Sequence, residues 1–167
     1  MRILFLGANG FIGSRVLARL LADGHEVCAA VRDPERLALR FPEIAAVHAD
    51  LNRMIGPEDW RPLLGGVDAV INCAGALQSG RGQNLHAIHL EAPLALYRAC
   101  VEEKVRRVVH VSAISANPEA RTDYARTKHA AEAALKELDL DWTILRPSLV
   151  YAEGSHGGTR ARCGSGR

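Results

Sequence analysis

The stretch that most constrains this chain is its beginning, where Arg2-Ile3-Leu4-Phe5-Leu6 runs into Gly7-Ala8-Asn9-Gly10-Phe11-Ile12-Gly13. Ile, Leu and Phe in succession, with no polar alternation, predict a strand buried on both faces of a parallel sheet. Gly7 ends it. The glycines at 7, 10 and 13 then predict a tight turn, a close approach of backbone to a phosphate group, and close packing of a helix on the sheet. Phe11, Val16, Leu17, Leu20 and Leu21 recur at helical spacing, so the helix aims its free N–H groups and the positive end of its dipole back at the turn. Together with Asn9, Phe11 and Ile12 between and beside the glycines, this is a turn suited to the pyrophosphate of a dinucleotide. A glycine-rich turn also occurs where nothing binds, so the rest of the chain has to support the reading.

It does so by alternation. Glu26–Val31, Ala45–Ala49, Val67–Asn72, Val105–Val111 and Asp141–Arg146 read as further strands. Between them lie helical segments at 34–41, 57–64, 84–103 and from Tyr124 through Leu138. Six strands alternating with helices predict a doubly wound α/β fold of the Rossmann type. Right-handed crossovers, taken with the pattern of the family that the motifs below resemble, give a parallel sheet of order 3-2-1-4-5-6 with helices on both faces and a ligand crevice at the switch point between the first and fourth strands. Residues 1–153 form one domain on this reading. From Gly154 the texture changes to a Gly- and Arg-rich tail without apolar period, expected to be disordered.

Composition limits the partners. The net charge of +2 includes Arg160, Arg162 and Arg167 of the tail, and without them residues 1–153 carry −1, which does not suit nucleic acid. Cys28, Cys73, Cys100 and Cys163 are far apart and suggest neither a zinc site nor a redox pair. His86 and His89 share a helix face but have no further ligand types nearby, so no metal is expected. No segment approaches the ~20 apolar residues of a membrane span, and a cytoplasmic protein is expected.

Where the second strand ends, a dinucleotide fold places an acid for the ribose 2′-hydroxyl of NAD or an Arg for the 2′-phosphate of NADP. Arg32 comes first and Asp33 second. NADP is therefore the expected cofactor and NAD the alternative; the competing reading is a solvated Arg32, with Asp33 capping the helix that begins at Pro34.

The spacing G-x-x-G-x-x-G resembles the short-chain dehydrogenase/reductase superfamily, especially its extended and atypical members of epimerase/dehydratase type. Three later segments carry the same resemblance: Asn72-Cys73-Ala74-Gly75 (N-x-A-G), Tyr124-Ala125-Arg126-Thr127-Lys128 (Y-x-x-x-K), and Arg146-Pro147-Ser148-Leu149-Val150-Tyr151. The resemblance implies that Asp50 meets the adenine amino group with Leu51 beside the ring, although Asp50 could simply cap a turn. It implies that Cys73, Ala74 and Gly75 pass close to the adenine ribose and that the backbone at Pro147 meets the nicotinamide carboxamide. Tyr124 would be the general acid/base. Lys128 would hold the nicotinamide ribose and, sharing a helix face with Tyr124, lower the phenol pKa.

The chain departs from the family pattern after the fifth strand. It reads Val111-Ser112-Ala113-Ile114-Ser115 where paired hydroxyls are usual, so Ser112 or Ser115 is left to orient a substrate oxygen. Two functions follow as expectations. One is an NAD(P)-dependent oxidoreductase or sugar-nucleotide epimerase/dehydratase relative acting on a small molecule. The other is a non-catalytic dinucleotide-binding protein, such as a redox sensor or an assembly subunit. Extended members of the family continue into a substrate lobe beyond the tail position. A chain truncated there is expected to bind cofactor, turn over weakly or not at all, and expose apolar surface that invites homo-oligomers.

Overall fold

A computed structural model describes residues 1–80 and 84–151. The expected tail lies outside these residues, as do positions 81–83 of the loop after the fourth strand.

The first strand, β1 (Arg2–Leu6), pairs in parallel with β2 (Glu26–Val31) on one side and β4 (Ala69–Asn72) on the other. Outside these lie β3 (Ala45–His48) beside β2, and β5 (Arg107–Val111) then β6 (Asp141–Leu145) beside β4. The order is therefore 3-2-1-4-5-6, all parallel, as expected.

β1 shows why an unbroken apolar run was needed. Ile3 and Phe5 face one core with Val27, Ala29, Val31 and Leu17. Leu4 and Leu6 face a second core with Val70, Leu96, Tyr97, Val108 and Leu135. Helices α1 (Phe11–Ala22) and α2 (Pro34–Ala38) supply the first layer. The short α3 (Pro57–Trp60), α4 (Ala92–Glu102) and α5 (Asp123–Lys136) supply the second. The second layer runs on beneath β5, whereas on the first face Thr143 and Leu145 of β6 are exposed among the described residues.

Two segments differ from the expected boundaries. α2 ends at Ala38 instead of Phe41, because Pro42 disfavours helical geometry in the residue before it. The helix expected over 84–103 is not uniform: Asn84 Oδ1 accepts from the N–H groups of His86 and Ala87, and Ala87–Glu91 then forms a π-helical turn ahead of α4. Trp60, fully buried, fixes the crossover after β3 by donating from Nε1 to the Met54 carbonyl at 2.9 Å.

Candidate functional site

The glycine turn is built by backbone touching backbone. Gly7 has φ +84°, and a Cβ there would lie 2.5 Å from the Cys73 carbonyl carbon and 2.6 Å from the Ala74 nitrogen. A Cβ on Gly13 would lie 2.0 Å from the Gly7 oxygen. Gly10 is different: its Cβ would meet only the Gly7 oxygen, at 3.1 Å, and it is exposed. The α1 N-terminus has neither a side-chain cap nor an acid in its first turn, so no carboxylate of that turn answers its amides.

A cleft of ≈ 310 Å³ opens over this turn at the ends of β1, β2 and β4. Gly7, Asn9 and Gly10 line it from the turn, and Cys73, Ala74, Gly75 and Ala76 from the segment after β4. Arg32, Asp33 and Arg36 line its β2 end. Asp33 is occupied as the α2 cap, accepting from the Arg36 N–H at 2.9 Å, while its carbonyl receives Asn9 Nδ2 at 3.4 Å. Arg32 and Arg36 form no ion pair among the described residues, and the sequence reading had not singled out Arg36. It lies in the first turn of α2, three residues after the Asp33 cap, and a second arginine so soon after Arg32 was the available signal.

Leu51 lines the cleft, and so does Asn52 instead of Asp50. Asp50 Oδ1 accepts from the Asn52 backbone and side chain at 3.0 and 2.8 Å, and these bonds hold its carboxyl below the usual range. Asn52 in turn accepts from the Asn84 N–H at 3.0 Å, joining the end of β3 to the start of the next helix. Burial pushes the Cys73 thiol up to about 11, consistent with a packing role. Phe11 and Ile12 open α1, with the Arg15 guanidinium 4.2 Å over the Phe11 ring.

Lys128, Tyr124 and Ser112 do not line this cleft; they lie beyond it, with Lys128 buried against the segment after β4. Lys128 is 4% exposed and donates from Nζ to the Val111 carbonyl at 2.9 Å and the Ala74 carbonyl at 3.5 Å. Burial draws its pKa down to about 8. Tyr124, half-buried, packs edge-on against His89. Its phenol is raised, not lowered, and burial is the cause. This corrects the expectation that Lys128 depresses it: the ammonium is engaged with main-chain carbonyls.

Ser112 is 3% exposed and its hydroxyl meets no partner at hydrogen-bonding geometry, yet it lies close enough to Glu132 to help hold that carboxyl down. Ser115 is exposed. Burial, the largest influence, would alone raise Glu132; the hydrogen bonds from Arg146, with Ser112 and the Arg146 and Lys136 charges, together outweigh it and leave the carboxyl below the usual range. Pro147 follows β6, and its carbonyl accepts from the Ile114 N–H at 3.1 Å.

Sequence reading missed the groups that support this region. Asn72 Oδ1 accepts from the Ala74 N–H at 2.9 Å, and its Nδ2 donates to Tyr97 Oη at 3.1 Å. Tyr97 lies 2.7 Å from His110 Nδ1. Burial takes His110 down to about 3, so it is neutral there. A polar residue inside an apolar strand, such as His110 in Val108–Val111, was the available signal. Of the predicted histidine pair, His86 is exposed and lies 3.3 Å from Glu91, whereas His89 is buried with both ring nitrogens engaged.

Comparison with known proteins agrees with this geometry. The chain is 31% identical over 165 residues to the Bacillus subtilis protein YhfK, described as an uncharacterized sugar epimerase, covering 94% of this chain and 76% of that protein. It is 27% identical over 146 residues to the photosystem II assembly factor Ycf39 of Synechocystis, covering 87% of this chain but 44% of the factor. A putative NAD-dependent epimerase/dehydratase from Bacillus halodurans superposes with a TM-score of 0.77 at 29% identity, over 94% of this chain and 74% of that one. With the NAD(P)H-binding family model matching residues 7–165, the chain belongs to that family, among its epimerase/dehydratase-like, short-chain dehydrogenase/reductase-type members.

Proposed function

We propose that this chain binds NADP(H) along the cleft and uses Tyr124 as the proton donor and acceptor in hydride transfer to or from a small carbonyl or alcohol substrate. The carrying observation is the cleft itself. It runs from Arg32 and Arg36, which form no ion pair among the described residues, past a glycine turn where Gly7 and Gly13 leave no room for a Cβ, to residues 73–76 after β4. Its residues fit a dinucleotide. Gly10 and the α1 amides would face the pyrophosphate, Arg32 and Arg36 a 2′-phosphate, and Leu51 and Asn52 the adenine, with Asp50 fixing the turn that presents them. When bound, the nicotinamide supplies the hydride chemistry.

The chain's own part is to bind, orient and exchange a proton. Lys128, held by the Val111 and Ala74 carbonyls, lies next to the segment that carries Gly75. It is suited to a ribose hydroxyl, while Tyr124 on the same helix moves the proton. A phenol raised by burial is protonated at neutral pH, the form that donates a proton. Of the two serines, exposed Ser115 is the better placed to meet a substrate oxygen, because Ser112 is buried beside Glu132.

Titration with NADPH and NADH tests the cofactor reading. A charge-assisted phosphate contact contributes about 1.5–3 kcal/mol, so NADPH should bind at least about tenfold more tightly. Equal affinities would remove the 2′-phosphate from the site.

The alternative, a dinucleotide-binding assembly or sensor protein, is favoured by Ala113 and Ile114 standing where hydroxyls are expected and by the similarity to an assembly factor. NADPH oxidation against a panel of aldehydes, ketones and nucleotide sugars separates the two. Turnover abolished in Tyr124→Phe supports the enzyme; tight binding with no turnover on any of them supports the alternative.

A further inference from the structure

The π-helical turn before α4 has a local cause. Pro93 lacks an N–H, so the His89 carbonyl cannot receive the bond an α-helix would give it. The chain widens instead, and the Ala92 N–H donates to the Ala87 carbonyl. His89, in the middle of the widened turn, is 1% exposed.

Its ring is used on three sides. Nε2 lies 3.0 Å from the Ala76 N–H. A backbone amide only donates, so Nε2 accepts and the neutral ring carries its hydrogen on Nδ1. Nδ1 lies 2.9 Å from Thr127 Oγ1, which passes its own hydrogen to the Asp123 carbonyl at 2.8 Å. The ring then meets Tyr124 edge-on, with centroids 5.4 Å apart and planes at 82°. A Cβ on Gly75 would stand 3.4 Å from both His89 Nε2 and Lys128 Nζ, so the segment after β4 is threaded between these two side chains.

We infer that His89 is a positioning residue for Tyr124: a single neutral imidazole ties the Ala76 end of the cleft floor to the first turn of α5 and sets the direction of the phenol. The inference rests on the reading of Tyr124 as the proton-transfer group. Burial, with Lys128 and His110 adding to it, takes the His89 ring down to about 3, so the link stays intact at neutral pH. This explains why the histidine pair has no shared role. His86 faces Glu91 at the surface, and His89 faces inward at the point where the loop, α4 and α5 meet.

Nitrogen-15 NMR of the imidazoles in the intact chain, with His89→Gln identifying the signal, reads the tautomer directly. A ring protonated on Nδ1 that does not titrate between about pH 5 and 8 is expected; protonation on Nε2, or titration in that range, would overturn the inference. Thr127→Val keeps the ring but cuts its Nδ1 link, and the Tyr124 ring resonances, identified with Tyr124→Phe, should shift in it. Unmoved Tyr124 signals would reduce His89 to core packing.

NADPH binding supplies a separate measurement. His89→Leu should weaken it by about tenfold, the equivalent of one hydrogen bond, and His89→Gln, which keeps an acceptor for the Ala76 N–H, should recover most of the loss. Equal affinities of the Leu and Gln variants would count against the link. Failure of the wild type to bind NADPH would instead sink the cofactor reading, while the tautomer and Tyr124 measurements, which need no ligand, still decide the role of His89.

Discussion

The three glycines of the first turn should separate cleanly under substitution, because the atoms that crowd them differ. In Gly13→Ala the new Cβ would start 2.0 Å from the Gly7 oxygen and 2.8 Å from its carbonyl carbon. Both are backbone, so α1 has to lift off the sheet, and Leu17 with it, from the core shared with Phe5 and Val27. Overpacking of this kind costs about 1–3 kcal/mol and more where backbone cannot yield. Gly7→Ala adds about 1–2 kcal/mol for a left-handed residue at φ +84°. A loss of about 3 kcal/mol corresponds to a fall in Tm of roughly 6–12 °C for a domain of this size.

Gly10→Val should behave otherwise. Its φ of −77° and ψ of 166° suit any residue, and only the Gly7 oxygen at 3.1 Å has to give way. A cost within about 1 kcal/mol, or roughly 2–4 °C, is expected, yet the side chain fills the cleft and NADPH binding should be lost. Thermal melts followed by circular dichroism, with NADPH titrated by tryptophan fluorescence, read both quantities. A Gly13→Ala protein as stable as wild type, or a folded Gly10→Val protein that binds NADPH normally, would refute the argument.

Arg32→Ala and Arg36→Ala should each lower NADPH affinity by about 1.5–3 kcal/mol and leave NADH nearly unchanged, as isothermal titration with the two cofactors would show. Arg146→Met should destabilise more than Glu132→Gln, since it leaves a buried carboxylate unpaired at a cost of about 3–5 kcal/mol; urea melts at neutral pH that ranked them the other way would contradict this. The lowered Glu132 pKa gives stability that is present above the unfolded value of about 4.3 and lost as pH falls through the folded value, so Glu132→Gln should flatten the acid limb of a Tm-against-pH curve. Lys128 has the opposite sign. Its folded pKa of about 8 lies below the unfolded value, so the unfolded chain binds more protons between about pH 8 and 10.4. Wild-type stability should therefore rise with pH across that window relative to Lys128→Met, by at most about 1.4 kcal/mol per pH unit.

The parallel sheet was legible because it rests on uninterrupted apolar runs such as Ile3–Leu6 and on the alternation of strands with helices, whereas its strand order needed the family resemblance as well. The glycine turn was legible because its demands are steric. Asp33 shows the limit: an acid after β2 reads equally as a ribose ligand or as a helix cap, and only the 2.9 Å bond to the Arg36 amide decides for the cap. The Tyr124–Lys128 pair shows another. Positions four apart do share a helix face, but the direction of a lysine's long side chain is set by tertiary partners, here the Val111 and Ala74 carbonyls. Asn72, Tyr97 and His110 assemble from three separate elements, a conjunction that no local spacing encodes.

The uneven cover of the sheet divides the molecule into a firm part and a soft one. β1 lies between two cores, whereas β6 is an edge strand on which Trp142, Leu145 and much of the rest remain exposed among the described residues. Local opening should therefore begin at β6, and amide exchange there should be the fastest of the sheet. That strand is not isolated from the site: the Leu145 carbonyl receives the Ser112 N–H at 2.7 Å, and Arg146 holds Glu132 of α5. Fraying at the edge therefore reaches the helix that carries Tyr124 and Lys128 before it reaches the glycine turn. In mild denaturant the cleft over the glycine turn should outlast the order of the helix that carries Tyr124 and Lys128, so the two would melt as separate units.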